Sequence, residues 1–466
     1  MMSTMNAKTD SPTRIPISRR DRFVFQYPPF ATMRQETAND FLAQMNTKSA
    51  SDEPFELYLH IPFCRVRCTF CYYNVVPNSF RTVVNPYVES LHKEIDLISR
   101  LPALQGRKVE TIYFGGGTPT YLQEDQLREL ITQIRGSFDI DPDVEFTCEG
   151  EPTTITEAKL HLLKELGVTR MSFGIQSFHP EIAQLNGRIA KPEIVQRALA
   201  WATETDFKVM NIDLMSGVLG ETMDTWKYSI DTALGYDPEH LTIYRMEIKP
   251  GTPLYSMLQL DPEMRRKFVS DDDEMAIIQY AEERLADAGY QHNSNFAWIK
   301  APEFSHRYRS NCWQGKDLIA LGESSYGYAN GYLYQNVSHH RPYSAIVDGG
   351  RLSVDRAYRL SKQDRMTSYM IMGFKLLNVD RKAFRARFDI DPIQVFGEQI
   401  AGLEQAGAVE VTDDRIRVTE HGCLYADSYV RVFFPSEHLA MDELMIGTPS
   451  FDQFGEGIQL AASPSA

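Results

Sequence analysis

The chain has 466 residues, of which 43% are apolar and 24% charged, and its formal net charge is −15. Such a chain is long enough for two or three domains, or for a barrel with an appendage. The acidic balance excludes a nucleic-acid-binding protein with a basic surface, and no apolar run is long enough to span a membrane, so any membrane contact is expected to be peripheral. Six cysteines without a secretory signal predict a cytoplasmic protein that lacks a disulfide framework.

Residues 1–50 are polar and irregular, and they predict an N-terminal extension that is partly disordered. Disorder is expected above all in its first twenty residues. The aromatic stretch Phe23–Phe30 is the exception, since its side chains are expected to pack on the main domain.

Three cysteines, Cys64, Cys68 and Cys71, follow the apolar stretch Glu56–Ile61, which predicts a buried strand. Three thiolates in one loop can hold three irons of an iron–sulfur cube and leave the fourth iron free for another ligand. Zinc is the alternative, but zinc sites usually combine two separate pairs of Cys or His, whereas the other three cysteines of this chain are isolated. The spacing therefore favours a [4Fe–4S] cluster.

Six predicted strands follow one another along the chain, and most of them are followed by an amphipathic helix. The strands are expected at 56–61, 110–114, 144–148, 169–174, 209–214 and 241–246, and the helices at 85–98, 124–136, 157–166, 192–205 and 224–235. The first helix is expected to begin with Asn85 as its N-cap and Pro86 in its first position. Strands that alternate with helices predict parallel βαβ units. We therefore predict an α/β fold, a partial (β/α)6 barrel whose chemistry lies at the carboxyl ends of the strands.

The rest of the chain is expected to extend this barrel and to add a small domain. A helix near 272–288 and then loops complete the barrel unit. A winged-helix-like α+β domain follows, with helices near 362–376 and 392–406 and strands at 408–411 and 415–418; because it is not basic, it is expected to act as a lid. The predicted parts are the extension 1–50, the barrel unit 51–360, the C-terminal domain 361–435 and a flexible tail 436–466.

Polar residues and glycines stand where successive predicted strands end. Gly115–Gly117 follows the second strand, Glu149 ends the third, Gln176 the fourth and Asp213 the fifth. Each alone could be a turn or cap residue, but barrel enzymes keep their functional side chains at such positions. The series predicts one binding site at this end of the barrel.

Five motifs resemble the radical S-adenosylmethionine (SAM) superfamily and, within it, the oxygen-independent coproporphyrinogen III oxidase family. They are Tyr58–Cys64, Gly115–Thr120, Phe173–Phe178, Leu185–Arg188 and Asn211–Leu214. The resemblance implies that Cys64, Cys68 and Cys71 hold a [4Fe–4S] cluster whose fourth iron binds SAM. It also implies a set of further site residues: Tyr58 at the cluster, Gly116, Glu149, Gln176, Arg188 and Asp213 on the first SAM, and Gly117, Thr118, Glu247 and Tyr326 on a second one.

The family includes several functions, and two features of this sequence favour a class C radical SAM methyltransferase. The decarboxylating oxidase has one more cysteine, where this chain has Tyr73, and the haem-chaperone branch lacks an N-terminal extension. A methyltransferase of this class would use two SAM molecules to methylate an sp2 carbon of a flat aromatic or quinone substrate such as menaquinone. Glu247, Tyr326 and His292 are candidates for its general base, Tyr58 would assist at the cluster, and a flavodoxin- or ferredoxin-type protein would supply electrons.

Two alternatives remain open, and both concern a tetrapyrrole. The first is oxidative decarboxylation of coproporphyrinogen III, for which Arg245, Lys249, Arg307 and Arg309 could hold the propionates. The second is a haem chaperone that keeps the cluster without turnover, and Ser294–Ala297 resembles that branch.

Overall fold

The computed structural model describes residues 23–49 and 51–444. Twelve strands of these ranges form one mixed sheet, and five short strands form two smaller sheets. The strands are β1 (Phe55–Ile61), β2 (Phe63–Cys64), β3 (Val76–Pro77), β4 (Lys108–Gly116), β5 (Asp139–Gly150), β6 (Arg170–Gln176), β7 (Val209–Ser216), β8 (His240–Arg245), β9 (Gln291–Ser294), β10 (Ala297–Ile299), β11 (Leu318–Leu321), β12 (Tyr326–Ala329), β13 (Tyr332–Asn336), β14 (Val354–Arg359), β15 (Asn378–Asp380), β16 (Val409–Val411) and β17 (Arg415–Val418).

The α-helices pack mainly on the outer face of the large sheet and in the C-terminal domain. They are α1 (Glu36–Met45), α2 (Arg81–Ser99), α3 (Glu124–Ser137), α4 (Glu157–Glu165), α5 (Pro180–Leu185), α6 (Pro192–Thr205), α7 (Met223–Gly235), α8 (Pro253–Leu260), α9 (Asp271–Asp287), α10 (Arg307–Trp313), α11 (His340–Asp348), α12 (Lys362–Lys375), α13 (Arg381–Phe388), α14 (Pro392–Gln405), α15 (Glu420–Leu424), α16 (Ala426–Tyr429) and α17 (Ser436–Leu444). None of the helices in the described ranges combines the length and the apolar character needed to cross a bilayer.

The large sheet has the order β14-β13-β12-β11-β1-β4-β5-β6-β7-β8-β10-β9. Its central strands, from β11 to β8, all run parallel. The six predicted strands are β1 and β4 to β8, so the predicted α/β partial barrel is confirmed. Because parallel strands put their carboxyl ends at one edge, the Cys64 loop and the turns after β4 to β7 meet there.

The sequence reasoning missed the strands between residues 290 and 360, where it expected loops. The chain forms β9 to β14 there, and β11 adds a seventh parallel strand beside β1. These strands have only three to six residues each, which is too short for a clear alternation of apolar and polar positions.

Helix α2 begins at Arg81, four residues before the predicted N-cap, and Pro86 lies inside it. A proline near the start of a helix removes only one backbone hydrogen bond, and the buried side chains around it outweigh this loss. The predicted apolar face of this helix is confirmed, since Tyr87, Leu91 and Ile95 are buried.

Both predicted irregular ends contain ordered helices. Helix α1 lies within the predicted extension, and the tail predicted from residue 436 begins with helix α17. The aromatic stretch packs on the barrel as predicted, since the Phe23 ring lies 5.3 Å from that of Phe296 and the Phe30 ring lies 4.9 Å from that of Tyr326. Residues 1–22 and 445–466, where further disorder was predicted, lie outside the described residues.

The C-terminal domain has its own apolar core around a small antiparallel sheet in the order β15-β17-β16. The predicted helices and the two predicted strands are present as α12, α14, β16 and β17, and the structure adds β15 and α13 between them. Val24 and Tyr27 of the N-terminal segment belong to this core. The core of the C-terminal domain therefore includes side chains of the N-terminal segment.

The seventh parallel strand gives a test of the fold. Leu321 in β11 is fully buried, whereas Leu260 is 88% exposed. We expect Leu321→Ala to lower the free energy of unfolding by about 2–5 kcal/mol, because the substitution leaves a cavity beside β1. Denaturant unfolding followed by circular dichroism measures this loss. Leu260→Ala is the matched control and should leave the midpoint nearly unchanged; equal effects of the two substitutions would contradict the placement of β11.

Candidate active site

A cavity of about 1090 Å³ lies at the carboxyl edge of the parallel strands. All thirteen site residues predicted from the sequence line this cavity: Tyr58, Cys64, Cys68, Cys71, Gly116, Gly117, Thr118, Glu149, Gln176, Arg188, Asp213, Glu247 and Tyr326. His292, the third candidate for a general base, is not among the lining residues. The structure thus brings together groups from seven strands and from the loops beside them. The role of each residue stays a prediction.

Backbone hydrogen bonds hold the cysteine loop at both of its ends. Asn78 N–H donates to the carbonyl of Cys64 at 2.8 Å, and Thr69 N–H donates to the carbonyl of Asn186 at 3.2 Å. Within the loop, Cys71 N–H donates to the carbonyl of Cys68 at 3.2 Å. The loop is therefore fixed to β3 on one side and to the segment after α5 on the other.

Two polar side chains reach the sulfur atoms of the loop. The Thr118 hydroxyl donates to Cys64 Sγ at 3.4 Å, and Arg188 Nη1 donates to Cys68 Sγ at 3.4 Å. Burial raises the pKa of Cys64 to about 12 and that of Cys71 to about 11. Iron binds thiolates, so hydrogen bonds and positive charge at the sulfurs favour the form that a cluster needs.

The spacing of the three thiols fits a cluster better than a single ion. Among the described residues, the one group of three Cys, His, Asp or Glu side chains whose ligand atoms all lie within 4.8 Å of one another is Glu282, His292 and Cys423. The loop cysteines are thus spread more widely than one tetrahedral zinc requires, and a cube of several irons holds its thiolates further apart. These residues fit a [4Fe–4S] cluster.

The turn after β4 provides backbone without side chains next to the cysteine loop. Gly116 has a φ of 109°, a conformation that suits glycine, and a Cβ on it would meet the His60 ring at 2.6 Å. A Cβ on Gly117 would lie 2.8 Å from the backbone carbonyl of Pro62. The two glycines therefore let the turn lie directly against the strand that carries the cysteines.

Three acceptors from neighbouring strands face the cavity. Glu149 accepts a hydrogen bond from the Tyr113 hydroxyl, and burial raises its pKa to about 7. Asp213 accepts from Asn211 Nδ2 at 2.8 Å, and burial raises its pKa as well. The buried Oε1 of Gln176 has no hydrogen-bond partner among the described residues. Such acceptors suit a ligand with an ammonium or sulfonium group and hydroxyls, as SAM has.

Glu247 and Tyr326, the predicted bases, are both covered by the N-terminal segment. Glu247 accepts from Phe23 N–H at 2.7 Å and forms an ion pair with Lys249 at 2.9 Å. The Tyr326 ring packs edge-on against Phe25, and burial raises the pKa of its hydroxyl. Neither side chain is poised as a free base in this conformation.

The sequence reasoning missed Arg170 and did not single out the environment of Arg309. Arg170 lies in β6, and its buried Nε and Nη1 have no hydrogen-bond partner among the described residues. Arg309 on α10 has an unpartnered Nε, and its guanidinium lies 4.9 Å from the centre of the Phe296 ring. A charged residue within an otherwise apolar strand was the signal for Arg170. Arg307, in contrast, does not line the cavity and donates instead to the carbonyls of Asp143 and Glu110.

The cavity is basic although the chain is acidic. Ten cationic side chains line it, against six acidic ones. The cations are Arg65, Arg67, Arg170, Arg188, Arg245, Lys249, Arg309, Lys316, Arg365 and Arg387. Since the whole chain has a net charge of −15, this concentration predicts a ligand with negative groups.

Two segments of the chain, one in the barrel and one in the C-terminal domain, match known families. Residues 58–233 match the radical SAM superfamily, and residues 360–425 match the HemN C-terminal domain. The chain therefore contains a radical SAM domain and a HemN C-terminal domain. The predicted [4Fe–4S] cluster and SAM, the cofactors of this superfamily, are thereby confirmed.

The relatives of this radical SAM protein have names from tetrapyrrole metabolism. It is 27% identical to the haem chaperone HemW of Bacillus subtilis, over 81% of this chain and 98% of that protein. It is also 27% identical to the oxygen-independent coproporphyrinogen III oxidase of Pseudomonas aeruginosa, over 84% of this chain and 88% of that one. The structure of coproporphyrinogen III oxidase (HemN) from Escherichia coli has the same fold, with a TM-score of 0.77, 23% identity and coverage of 88% and 96% of the two chains.

These relatives overturn the methyltransferase hypothesis for this radical SAM protein. They are named as coproporphyrinogen III oxidases and haem chaperones, the two alternatives that the sequence left open. The hypothesis was wrong because it depended on one residue, Tyr73, and on the presence of an N-terminal extension.

A glycine-to-alanine substitution tests whether the close approach of the glycine turn to the strand before the cysteines matters for SAM binding. Gly117→Ala would place a Cβ 2.8 Å from the Pro62 backbone, so the cysteine loop has to move. We expect SAM binding, measured by calorimetry on the cluster-loaded protein, to weaken about tenfold or more. Gly136→Ala on α3, where a Cβ meets nothing within 4 Å, is the control. Unchanged affinity in the Gly117 variant would show that the close approach has no role.

The raised pKa of Glu149 predicts how stability changes with pH in the protein without cofactors. Its pKa rises from 4.5 to about 7 on folding, so the folded state holds this proton more tightly than the unfolded state. The contribution of this group to the free energy of unfolding is fully present below about pH 4.5, and it is lost as the pH rises to about 7. Relative to the parent, Glu149→Gln should therefore gain about 3 kcal/mol in free energy of unfolding as the pH rises through this window.

Denaturant unfolding at a series of pH values measures this difference. Glu129→Gln is the control, because the Glu129 side chain is 68% exposed. A difference between parent and Glu149→Gln that stays constant from pH 4.5 to 7.5 would contradict the raised pKa.

Proposed function

We propose that this radical SAM protein is an enzyme that acts on a tetrapyrrole with carboxylate side chains, by oxidative decarboxylation of the coproporphyrinogen III type. The observation that carries the proposal is a pair of arginines in the cavity that holds the cysteine loop, the buried Arg170 and the partly buried Arg309. Nε and Nη1 of Arg170 and Nε of Arg309 have no hydrogen-bond partner among the described residues, while Arg309 Nη2 donates to Asn293 Oδ1 at 3.1 Å. The names of the relatives support the same substrate class.

Burying a guanidinium N–H group without a hydrogen-bond partner costs free energy, and a bound carboxylate would offset this cost by accepting the hydrogen bond. Burial lowers the pKa of Arg309 only to about 10, so this side chain is charged at neutral pH. A planar guanidinium can hold a carboxylate through two parallel N–H···O bonds. Each arginine could therefore fix one propionate of the substrate.

Aromatic side chains beside these arginines offer flat surfaces to a macrocycle. The Tyr113 and Tyr308 rings stack with centroids 4.6 Å apart, and the Phe296 and Trp313 rings meet edge-on at 5.7 Å. All four residues line the cavity. Apolar and aromatic walls with a few well-placed charges are typical of small-molecule sites.

The reaction divides the work between the cofactors and the chain. When bound, the cluster and SAM supply a radical that takes a hydrogen atom from the substrate. That propionate would then release CO2 and pass one electron to an external one-electron acceptor, such as an oxidised iron–sulfur or flavin protein, and a vinyl group would remain. The chain's part is to hold the carboxylates on the arginines and to keep water away from the reacting carbon. We also propose a flavodoxin- or ferredoxin-type electron donor and, since all six cysteines are free thiols, a cytoplasmic location.

A haem chaperone is the second candidate, and one residue favours it. Tyr73 stands where the decarboxylating oxidases have a further cysteine, and its ring stacks on that of Tyr72 at 4.6 Å. HemW of B. subtilis is covered over 98% of its length. Haem carries two propionates, so the same arginines would serve it. This candidate predicts stoichiometric haem binding without cleavage of SAM.

Two arginines of helix α10 provide a matched test. We expect the parent protein, with a reconstituted cluster, SAM and a reductant under anaerobic conditions, to release CO2 from coproporphyrinogen III and form vinyl products. Arg309→Met should raise KM about tenfold to a hundredfold, because a charge-assisted pair with the substrate is lost. Arg307→Met, outside the cavity, should behave as the parent. Cluster absorbance checks that both variants are loaded.

If the parent does not turn over coproporphyrinogen but binds haem tightly, and Arg309→Met weakens that binding, the protein is a haem chaperone and not a decarboxylase. Equal behaviour of the two arginine variants toward both ligands would contradict the role given to Arg309.

A further inference from the structure

We propose that Glu282, His292 and Cys423 form a binding site for a divalent transition-metal ion, with zinc as the ion that fits them best. One carboxylate oxygen, one imidazole nitrogen and one sulfur of these residues all lie within 4.8 Å of one another. Thiolate, imidazole and carboxylate are the three ligand types that zinc takes in proteins. The group is separate from the cysteine loop and independent of the proposed function.

The distance between two of the ligand atoms is close to that of a zinc site. Cys423 Sγ lies 4.0 Å from His292 Nδ1. In a tetrahedral site with Zn–S of about 2.3 Å and Zn–N of about 2.0 Å, these atoms would be about 3.5 Å apart. Binding of the ion would thus bring these two atoms about half an ångström closer and would also draw in the Glu282 oxygen, which lies within 4.8 Å of both.

The three groups have few competing partners. Among the described residues, no hydrogen bond or ion pair of the Glu282 carboxylate is found. His292 Nδ1 makes one long hydrogen bond, 3.3 Å to the carbonyl of Ser294, which a metal would replace. Burial raises the pKa of the Cys423 thiol and raises that of Glu282 to about 7. A bound cation would favour the ionised form of both groups and release their protons.

The charged groups around the three residues are one cation, Arg245, and three further acids, Glu283, Glu420 and Asp427. Arg245 lowers the pKa of both Glu282 and Cys423, so its positive charge opposes a cation. Glu420 has the contrary effect on both groups. Arg245 is also engaged elsewhere, since its Nη2 donates to the carbonyl of Leu424 at 2.9 Å.

The site would join two parts of the protein that are far apart in sequence. Glu282 lies on α9 and His292 on β9, both in the barrel unit, whereas Cys423 lies on α15 in the core of the C-terminal domain. Glu282 and Cys423 line the large cavity, which gives an ion a route from solvent and leaves room for a water ligand. An ion here would fasten the C-terminal domain to the barrel.

Zinc content and cobalt spectra test this site in the full chain with its cluster loaded. After dialysis against zinc and removal of loosely bound metal, elemental analysis should find one zinc per chain in the parent. Cys423→Ser, His292→Ala and Glu282→Gln should each weaken zinc binding tenfold or more. Cys148→Ser, which removes a buried thiol outside the site, is the control and should keep the zinc.

Cobalt substitution gives a readout that a general loss of stability does not imitate. Co²⁺ in the parent should show the d–d absorption of a tetrahedral site together with a thiolate-to-cobalt band, and the thiolate band should vanish in Cys423→Ser. Should that variant fail to fold, Glu282→Gln, which keeps the thiolate, should retain the band and bind cobalt more weakly. No zinc in the parent, or equal zinc in the parent and the three variants, would overturn the proposal.

Discussion

The structure depends on the pairing of β1 with β4 at the carboxyl edge of the sheet. In this register Ile61 pairs with Gly116, and one residue later Gly117 N–H donates to the carbonyl of Ile61 at 2.8 Å. The cysteine loop and the glycine turn therefore leave the sheet side by side. The two loops can come this close because Gly117 has no side chain to meet the backbone of Pro62. This contact places the cysteine loop beside the glycine turn at the rim of the cavity.

The buried arginines show how an acidic protein can attract anions. A net charge of −15 describes the surface as a whole, while a ligand in the cavity meets ten cations and six acids. Low-dielectric walls strengthen these local charges, and solvent screens the distant ones. The composition excluded a nucleic-acid partner, but it carried no information about the lining of an internal cavity.

The parts that could be predicted from the sequence are those with a strong local pattern. The six long parallel strands, the apolar face of α2 and the cysteine loop all have such a pattern, and the strand-end positions of Glu149, Gln176 and Asp213 follow from parallel pairing. The strands β9 to β14 could not be predicted, because they are short and are held by neighbours distant in sequence. The choice between family functions failed for a similar reason. It depended on single positions such as Tyr73, whereas the proposed carboxylate contacts, Arg170 and Arg309, are brought together only by the fold.

The N-terminal segment is bound by residues near the other end of the chain. Val24 N–H donates to Asp427 Oδ1 at 2.8 Å, and the buried Lys375 ammonium donates both to the Val24 carbonyl and to Asp427. About four hundred residues separate these partners, so their contact order is very high. During synthesis on the ribosome, the segment around Val24 has to wait until residues 375 to 427 have been made before the C-terminal core can close. Until Lys375 and Asp427 have been synthesised, the apolar side chains of this core would lack their partners, and exposed surface of this kind is prone to aggregation.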